Sequence, residues 1–339
     1  MDLRHPCPDA QLGRTGAAVS EAALKLVVTD QAFGDTRHER AAATAAGATF
    51  AEFQCRSEDE VLEVVRGAHA VLNNFAPMTR KVMAAMAPGA VVVRYGVGVD
   101  NVDLAAARDL GVRVCNVPDY GVDEVADHAA AMTLALARKL DSYNDGIRAG
   151  EWKIGAMVDG LRSLRDTTVG LIGLGRIARA YAARMAVFGC RITGFDPFIP
   201  EDQIRTAGIC PLPRDEVVAS ANVLSLHVPL TPETRHLIDA AAITRMPTGA
   251  ILINCSRGGL VDEDALAAAL VSGHLSGAGL DVFEKEPLPA GSPLQQAPHV
   301  LMSPHAAFYS DASVDALQRL ASEEALRGLR GEPLRCALT

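Results

Sequence analysis

A strand that turns into a helix through three small residues sets the frame for this chain. Thr168-Val-Gly-Leu-Ile172 reads as a buried strand and runs into Gly173-Leu-Gly-Arg-Ile-Ala178, which opens a helical stretch. In that setting G-x-G-x-x-A has a mechanical meaning. Gly173 permits the tight turn, Gly175 lets the backbone approach a pyrophosphate, and Ala178 allows the helix to pack closely. The pyrophosphate would lie on the helix N-terminus, where free N–H groups and the dipole favour an anion. The next strand, Arg191–Phe195, ends in Asp196, roughly twenty residues on, where an acid accepts hydrogen bonds from ribose hydroxyls. Asp196 would also repel a 2′-phosphate, and Pro197 and Phe198 offer no cation to neutralise one. NAD is therefore expected rather than NADP.

Around this unit, short β-branched runs alternate with helical stretches, the pattern of a parallel α/β fold. An early series of strands is expected at Lys25–Thr29, Thr49–Phe53, Ala70–Asn73, Val91–Tyr95 and Arg113–Asn116. A later series is expected at Thr168–Ile172, Arg191–Phe195, Val223–His227, Ala250–Asn254, Gly277–Asp281 and Val300–Met302. The early series fits a flavodoxin-like doubly wound sheet and the later one a Rossmann sheet. Between them the spacing predicts one long helix from Val122 to about Arg148, about 39 Å at 1.5 Å per residue. That is longer than one small domain needs, so it would cross between domains or subunits. Gly150–Asp166, with the only tryptophan, Trp152, reads as a linker or arm, and Ser310–Leu329 as a final helix.

Composition narrows the class. With 339 residues, 49% of them hydrophobic, the chain has material for two domains. A net charge of -9 argues against nucleic-acid binding by bulk charge. No apolar run approaches the ~18 residues of a membrane-spanning helix. The first twenty residues lack the apolar core of a secretory signal. The 7 cysteines are widely spaced without C-x-x-C, which fits a reducing cytoplasm rather than disulfides or a metal site.

Three polar groups follow late strands. They are Arg257 in Asn254-Cys-Ser-Arg-Gly-Gly, Glu286 in Asp281-Val-Phe-Glu-Lys-Glu-Pro287, and His305 in Ser303-Pro-His-Ala-Ala307. Open α/β sheets bind ligands at that end of their strands. The set suits reduction of a 2-keto acid. A guanidinium can hold a carboxylate and its neighbouring carbonyl. A histidine can donate the proton that the oxygen needs. A carboxylate beside the histidine fixes its tautomer and favours the imidazolium.

These motifs, with Leu226-His-Val-Pro-Leu-Thr-Pro-Glu-Thr234 and Gly279-Leu-Asp-Val-Phe283, resemble the D-isomer-specific 2-hydroxyacid dehydrogenases over roughly residues 25–330. The resemblance implies Arg257, Glu286 and His305 as catalytic residues. It implies NAD contacts at Val97, Ile172, Gly173, Leu174, Gly175, Arg176, Ile177, Asp196, Val228, Thr231, Thr234, Cys255, Ser256, Arg257, Asp281, His305, Ala306, Ala307 and Phe308, with Asp281 meeting the nicotinamide carboxamide. Substrate contacts are implied at Asn74, Phe75, Arg94, Gly96, Val97, Gly98 and Arg257. The substrate loop has no Lys or Arg before Arg80, and Phe75 and Phe308 could line an apolar pocket, so a small 2-keto acid with a neutral or apolar side chain is expected. The implied architecture is a discontinuous substrate domain, 1–119 plus 305–339, around an NAD-binding domain, 120–304. A homodimer through the NAD-binding domain is expected, with no membrane or nucleic-acid partner.

Within the family, Pro304-His-Ala-Ala-Phe-Tyr-Ser310 and Asn116-Val-Pro-Asp119 look most like the C-terminal-binding-protein branch, which are NAD(H)-responsive corepressors. Phe308 departs from the tryptophan of those corepressors. The alternative reading is therefore an NAD(H)-sensing interaction protein with weak dehydrogenase activity. Glu286 argues against formate dehydrogenase, whose relatives carry Gln there. The short stretch after His305 argues against a phosphoglycerate dehydrogenase with a regulatory domain.

Overall fold

The computed structural model describes residues 23–152 and 161–339. The early strands are β1 (Lys25–Val28), β2 (Thr49–Glu52), β3 (Ala70–Asn73), β4 (Val91–Arg94) and β5 (Arg113–Cys115), and they form a parallel sheet in the order β2-β1-β3-β4-β5. The later strands are β6 (Thr168–Ile172), β7 (Arg191–Phe195), β8 (Cys210–Pro211), β9 (Val223–Leu226), β10 (Ala250–Asn254), β11 (Leu275–Leu280) and β12 (Val300–Met302). Their order is β12-β11-β10-β9-β6-β7-β8, again all parallel. Strands covered on both faces can be apolar throughout, and β3, β4, β9 and β10 are buried along their whole length.

Each sheet reverses its strand order once, between β1 and β3 and between β6 and β9. Ligands bind outside the carboxyl ends at such points. The chain leaves the early sheet after β5 and returns after β12. Its last helix, Asp311–Leu329, presses Leu317, Ala321 and Ala325 onto Leu26, Val91 and Val93 of the early sheet. The helix Val122–Ala137 lies on the later sheet against the helix Arg176–Val187.

The long helix expected over Val122–Arg148 is two helices, Val122–Ala137 and Leu140–Arg148. Lys139 breaks it with a left-handed backbone, φ 53°. Its Nζ reaches the Ser276 carbonyl at 2.9 Å, a tertiary contact that a continuing helix would carry elsewhere. Helical propensity alone gives no sign of it, because Arg, Lys and Leu all continue a helix well. The two-residue edge strand β8 was not expected either, since Pro211 and its brevity hide it. Of the expected arm Gly150–Asp166, residues 153–160 lie outside the described residues. Trp152 is largely exposed, and Leu164–Asp166 form one 3-10 turn. No helix among the described residues is long and apolar enough to cross a membrane, and no group of three or more His, Cys, Asp or Glu there could hold a metal ion.

Candidate active site

The turn after β6 is shaped for close backbone approach. Gly173 has φ 86°, and a Cβ there would come within 2.6 Å of the His227 carbonyl oxygen. Over Gly175 the space is open, with nothing within 4 Å of where a Cβ would stand. Gly175 also caps the helix Arg176–Val187 with no side-chain hydrogen bond. The helix therefore begins with N–H groups that have no side-chain acceptor, next to open space. Asp196 at the end of β7 accepts the Leu174 N–H and the Phe198 N–H, both at 2.9 Å, which fixes it beside the turn. These residues fit a dinucleotide. The side chains of Ile172 and Leu174 are buried in the core, so only their backbone can face it. Arg176 pairs with Asp119. Thr231 and Thr234 are knitted together, Thr231 N–H to Thr234 Oγ1 at 2.7 Å, in the loop after β9, where Val228 packs against Gly173. The Ser256 hydroxyl donates to the Leu226 carbonyl at 2.8 Å, which ties the loop after β10 to β9, and burial pushes the Cys255 thiol far up.

Glu286 and His305 are brought together. His305 Nδ1 lies 2.7 Å from Glu286 Oε2, and Glu286 Oε1 accepts the Phe283 N–H at 3.0 Å. Burial acts to raise the Glu286 carboxyl. The His305 hydrogen bond and charge, the Phe283 N–H and the nearby Arg257 outweigh it and hold the carboxyl below its usual value. With Nδ1 engaged, Nε2 is the ring nitrogen left for a substrate. Phe75 meets the His305 ring edge-on, centroids 5.6 Å apart.

Arg257, in the loop after β10, stands on the same sheet edge as Glu286 and His305 and reaches across the cleft to the early sheet. Its Nε pairs with Asp100 and its Nη1 donates to the Ser256 carbonyl at 2.8 Å. Its Nη2 occupies the place a Cβ on Gly98 would take, 1.4 Å away. A Cβ on Gly96, where φ is 122°, would fall 1.9 Å from Arg94 Nη1. The two glycines after β4 thus make room for two guanidiniums. Arg94 is buried, and its Nε has no hydrogen-bond partner among the described residues. Desolvation first, and then repulsion from Arg257, push it down to about 10. It is a buried guanidinium, still charged at neutral pH, with one donor unpaired among the described residues. Tyr120 faces the same spot, with its hydroxyl 3.3 Å from the Gly96 Cβ position, and its ring meets Phe308 edge-on.

Asn74 and Phe75 stand at the cleft, but their backbone N–H groups are spent. Asp30, buried at the end of β1, accepts the N–H groups of Asn74, Phe75 and Ala76 at 3.1, 2.6 and 3.2 Å. Val97 is exposed, and its carbonyl accepts from Asn116 at 2.7 Å. Phe75, Glu286, His305 and Phe308 line one cavity of about 770 Å³, with Leu288 and Met302 among its apolar walls. Asp281 is sealed, its carboxylate accepting from Ser303, Ala306 and Ala307. Sequence reasoning did not single out Asp30, Asp100, His128 or Tyr120. Of these, only His128 lies within a stretch that spacing marked, the helix expected from Val122.

Comparison with known proteins agrees with this geometry. Residues 130–307 match the family described as D-isomer specific 2-hydroxyacid dehydrogenase, NAD binding domain. The chain is 36% identical over 280 residues to a glyoxylate reductase of Korarchaeum cryptofilum, covering 81% of this chain and 84% of that protein. It is 38% identical over 279 residues to a D-3-phosphoglycerate dehydrogenase of Methanocaldococcus jannaschii, of which it spans only 52%. The chain thus spans about half the length of several curated relatives it matches. A D-lactate dehydrogenase from Aquifex aeolicus, solved with NAD and lactic acid, superposes with a TM-score of 0.82 at 27% identity, covering 91% of this chain and 96% of that one. A glycine turn open for a dinucleotide, at the switch point of a sheet matched along most of its length, has one reading: the chain belongs to the D-isomer specific 2-hydroxyacid dehydrogenases and carries their NAD binding domain.

Proposed function

We propose that this protein is an NAD-dependent oxidoreductase that interconverts a small 2-keto acid and the D-2-hydroxy acid. The observation that carries the reading is the His305–Glu286 pair at 2.7 Å, with Arg257 on the same sheet edge and near enough for its charge to act on Glu286. When bound, NADH supplies the hydride that reaches the keto carbon. Arg257 and Arg94 hold the substrate carboxylate, with the Gly96–Gly98 backbone beneath it. Arg257 leaves Asp100 in part to do so. His305, as imidazolium, gives its Nε2 proton to the carbonyl oxygen as that oxygen gains charge. Glu286 keeps the ring oriented and stabilises its charge. In oxidation the neutral ring takes the hydroxyl proton back.

The cavity walled by Phe75, Leu288, Met302 and Phe308 supports a neutral or apolar substrate side chain. The relatives are named for phosphoglycerate, glyoxylate and lactate, so the choice among acids rests on this pocket. Their names as dehydrogenases and reductases do not favour the corepressor-like alternative. We divide the chain into a substrate domain, 1–119 with 305–339, and an NAD-binding domain, 120–304. A homodimer through the latter is supported by Leu140, Ile147 and Trp152, all exposed on one stretch. A cytoplasmic location is supported by the free thiols of Cys55, Cys115 and Cys190.

The test is NADH consumption with a panel of 2-keto acids that runs from glyoxylate through pyruvate to branched and aromatic acids, with a phosphorylated acid included. Turnover is expected, with uncharged side chains preferred. No turnover with any of them would overturn the dehydrogenase reading, and a preference for the phosphorylated acid would overturn the pocket argument.

A further inference from the structure

We propose that His128 is a positioning residue for His305 and acts on it through Ser303 and Asp281. The inference rests on the catalytic role given to His305 above. It starts from the backbone of His305, which is left-handed with φ 56°. A residue other than glycine holds that conformation only where its surroundings impose it. Here Asp281 imposes it from both ends. Its carbonyl accepts the His305 N–H at 2.7 Å, and its carboxylate accepts the next two, Ala306 N–H at 2.8 Å and Ala307 N–H at 2.9 Å. Three consecutive N–H groups of the catalytic loop thus bond to one residue, the first of them shared with the Ser303 carbonyl at 3.0 Å.

Asp281 is buried, so its carboxylate needs compensation. Besides the two N–H groups it takes the Ser303 hydroxyl proton. A serine hydroxyl has one proton to give. Ser303 Oγ must therefore be the acceptor in its 2.8 Å contact with His128 Nε2, and His128 carries its proton on that nitrogen. The chain runs His128 N–H to Ser303 O–H to Asp281. His128 is also the one basic side chain within 4.0 Å of the Asp281 carboxylate among the described residues, at 3.9 Å. It projects from the helix Val122–Ala137, which packs against the helix that begins at the dinucleotide turn. The aim of the catalytic ring is thereby tied to the element that carries the cofactor site.

Losing the His128 donor should let Ser303 rotate, loosen the grip on residues 305–307 and misaim the His305 ring, with the Arg94 and Arg257 guanidiniums left in place. The test uses His128→Leu, His128→Gln, Ser303→Ala and the double variant His128→Leu/Ser303→Ala. Readouts are kcat, KM, NADH affinity by fluorescence, and the ¹⁵N shift of His305 Nδ1 in histidine-labelled protein, assigned with His305→Asn. We expect His128→Leu to lower kcat about tenfold with the keto-acid KM nearly unchanged and NADH affinity reduced far less than kcat, and to move the His305 Nδ1 signal. His128→Gln, whose amide can donate to Ser303, should restore most of both. The double variant should be no slower than Ser303→Ala alone, because both break one chain. Losses that multiply, or a Gln variant as slow as the Leu variant, would overturn the proposal. If the wild-type protein reduces no 2-keto acid, the dehydrogenase reading fails by itself. The Nδ1 signal then still decides whether His128 governs the His305 ring, and an unmoved signal in His128→Leu refutes it.

Discussion

The carboxyl edges of the two sheets face the same cleft and solve the same problem, holding an anion, in opposite ways. Beside β6 the backbone is left available. Gly175 caps its helix without a side chain, and the first-turn N–H groups face open space. Beside β3 the backbone is already spent, because Asp30 takes the N–H groups of residues 74, 75 and 76. Charge must then come from side chains, and the glycines after β4 admit Arg94 and Arg257. The first solution suits a cofactor that every turnover shares, since backbone dipoles at a helix N-terminus are fixed. The second suits a substrate, since guanidiniums can be placed to fit one acid.

The separation between the edges is sharpest at His305, which faces the substrate. His305→Asn should cost roughly 10²–10⁴ in kcat in both directions while NADH still binds. Steady-state rates beside a fluorescence titration check this, and an active variant would sink the mechanism. Arg94 gives the next largest effect. Arg94→Met removes a buried charge whose Nε has no partner. It should raise KM for the keto acid about ten- to hundredfold. The same change should raise Tm of the ligand-free protein by a few degrees, because the charge is desolvated without repayment. A fall in Tm with KM unchanged would mean that Arg94 is structural and that the substrate edge works otherwise.

The two edges also differ in how much of them the sequence betrays. The dinucleotide turn is written in adjacent residues, so Gly173, Gly175, Ala178 and Asp196 could be placed by spacing alone. Strand positions were legible for a similar reason, as runs such as Val91-Val-Val-Arg94 have no polar residue until the strand ends. The substrate edge is assembled from residues far apart in the chain. Asp30 meets residues 74–76 through a crossover, and Arg257 meets Gly98 and Asp100 across the cleft. Nothing local marks Asp30 as anything but a loop acid. The break at Lys139 was illegible for the same cause, since its reason lies at the Ser276 carbonyl on another element.

Cofactor choice tests whether the β6 edge is as simple as it looks. Asp196 is held beside the turn by the Leu174 and Phe198 N–H groups. Replacing Asp196 with Ser and Pro197 with Arg should shift the NADPH-to-NADH ratio of kcat/KM upward by roughly ten- to hundredfold. The ratio is read with one keto acid at fixed concentration. A wild-type preference for NADPH would remove Asp196 as the discriminator.

The smallest effect expected is a displaced pH profile at Glu286, and its sign follows from the geometry. The carboxyl is held below its usual value, against burial, by the His305 hydrogen bond and charge. A carboxyl shifted down stabilises the fold above the usual carboxylate range, and that contribution is lost as pH falls through the lowered value. From pH 5 to 9 Glu286 is therefore an anion throughout, and its influence on the histidine is constant across that window. The Glu286 charge attracts the imidazolium. Reduction needs the protonated ring and falls as pH rises, whereas oxidation needs the neutral ring and rises. Glu286→Gln keeps a hydrogen-bonding group for Nδ1 and removes the charge. The fall in reduction should then move to lower pH, and the rise in oxidation should move the same way, so as pH rises the variant loses reduction and gains oxidation sooner than wild type. Paired pH–rate profiles in the two directions read this directly. Profiles that coincide with wild type would show that Glu286 orients the ring through its hydrogen bond alone, and that its charge does no tuning.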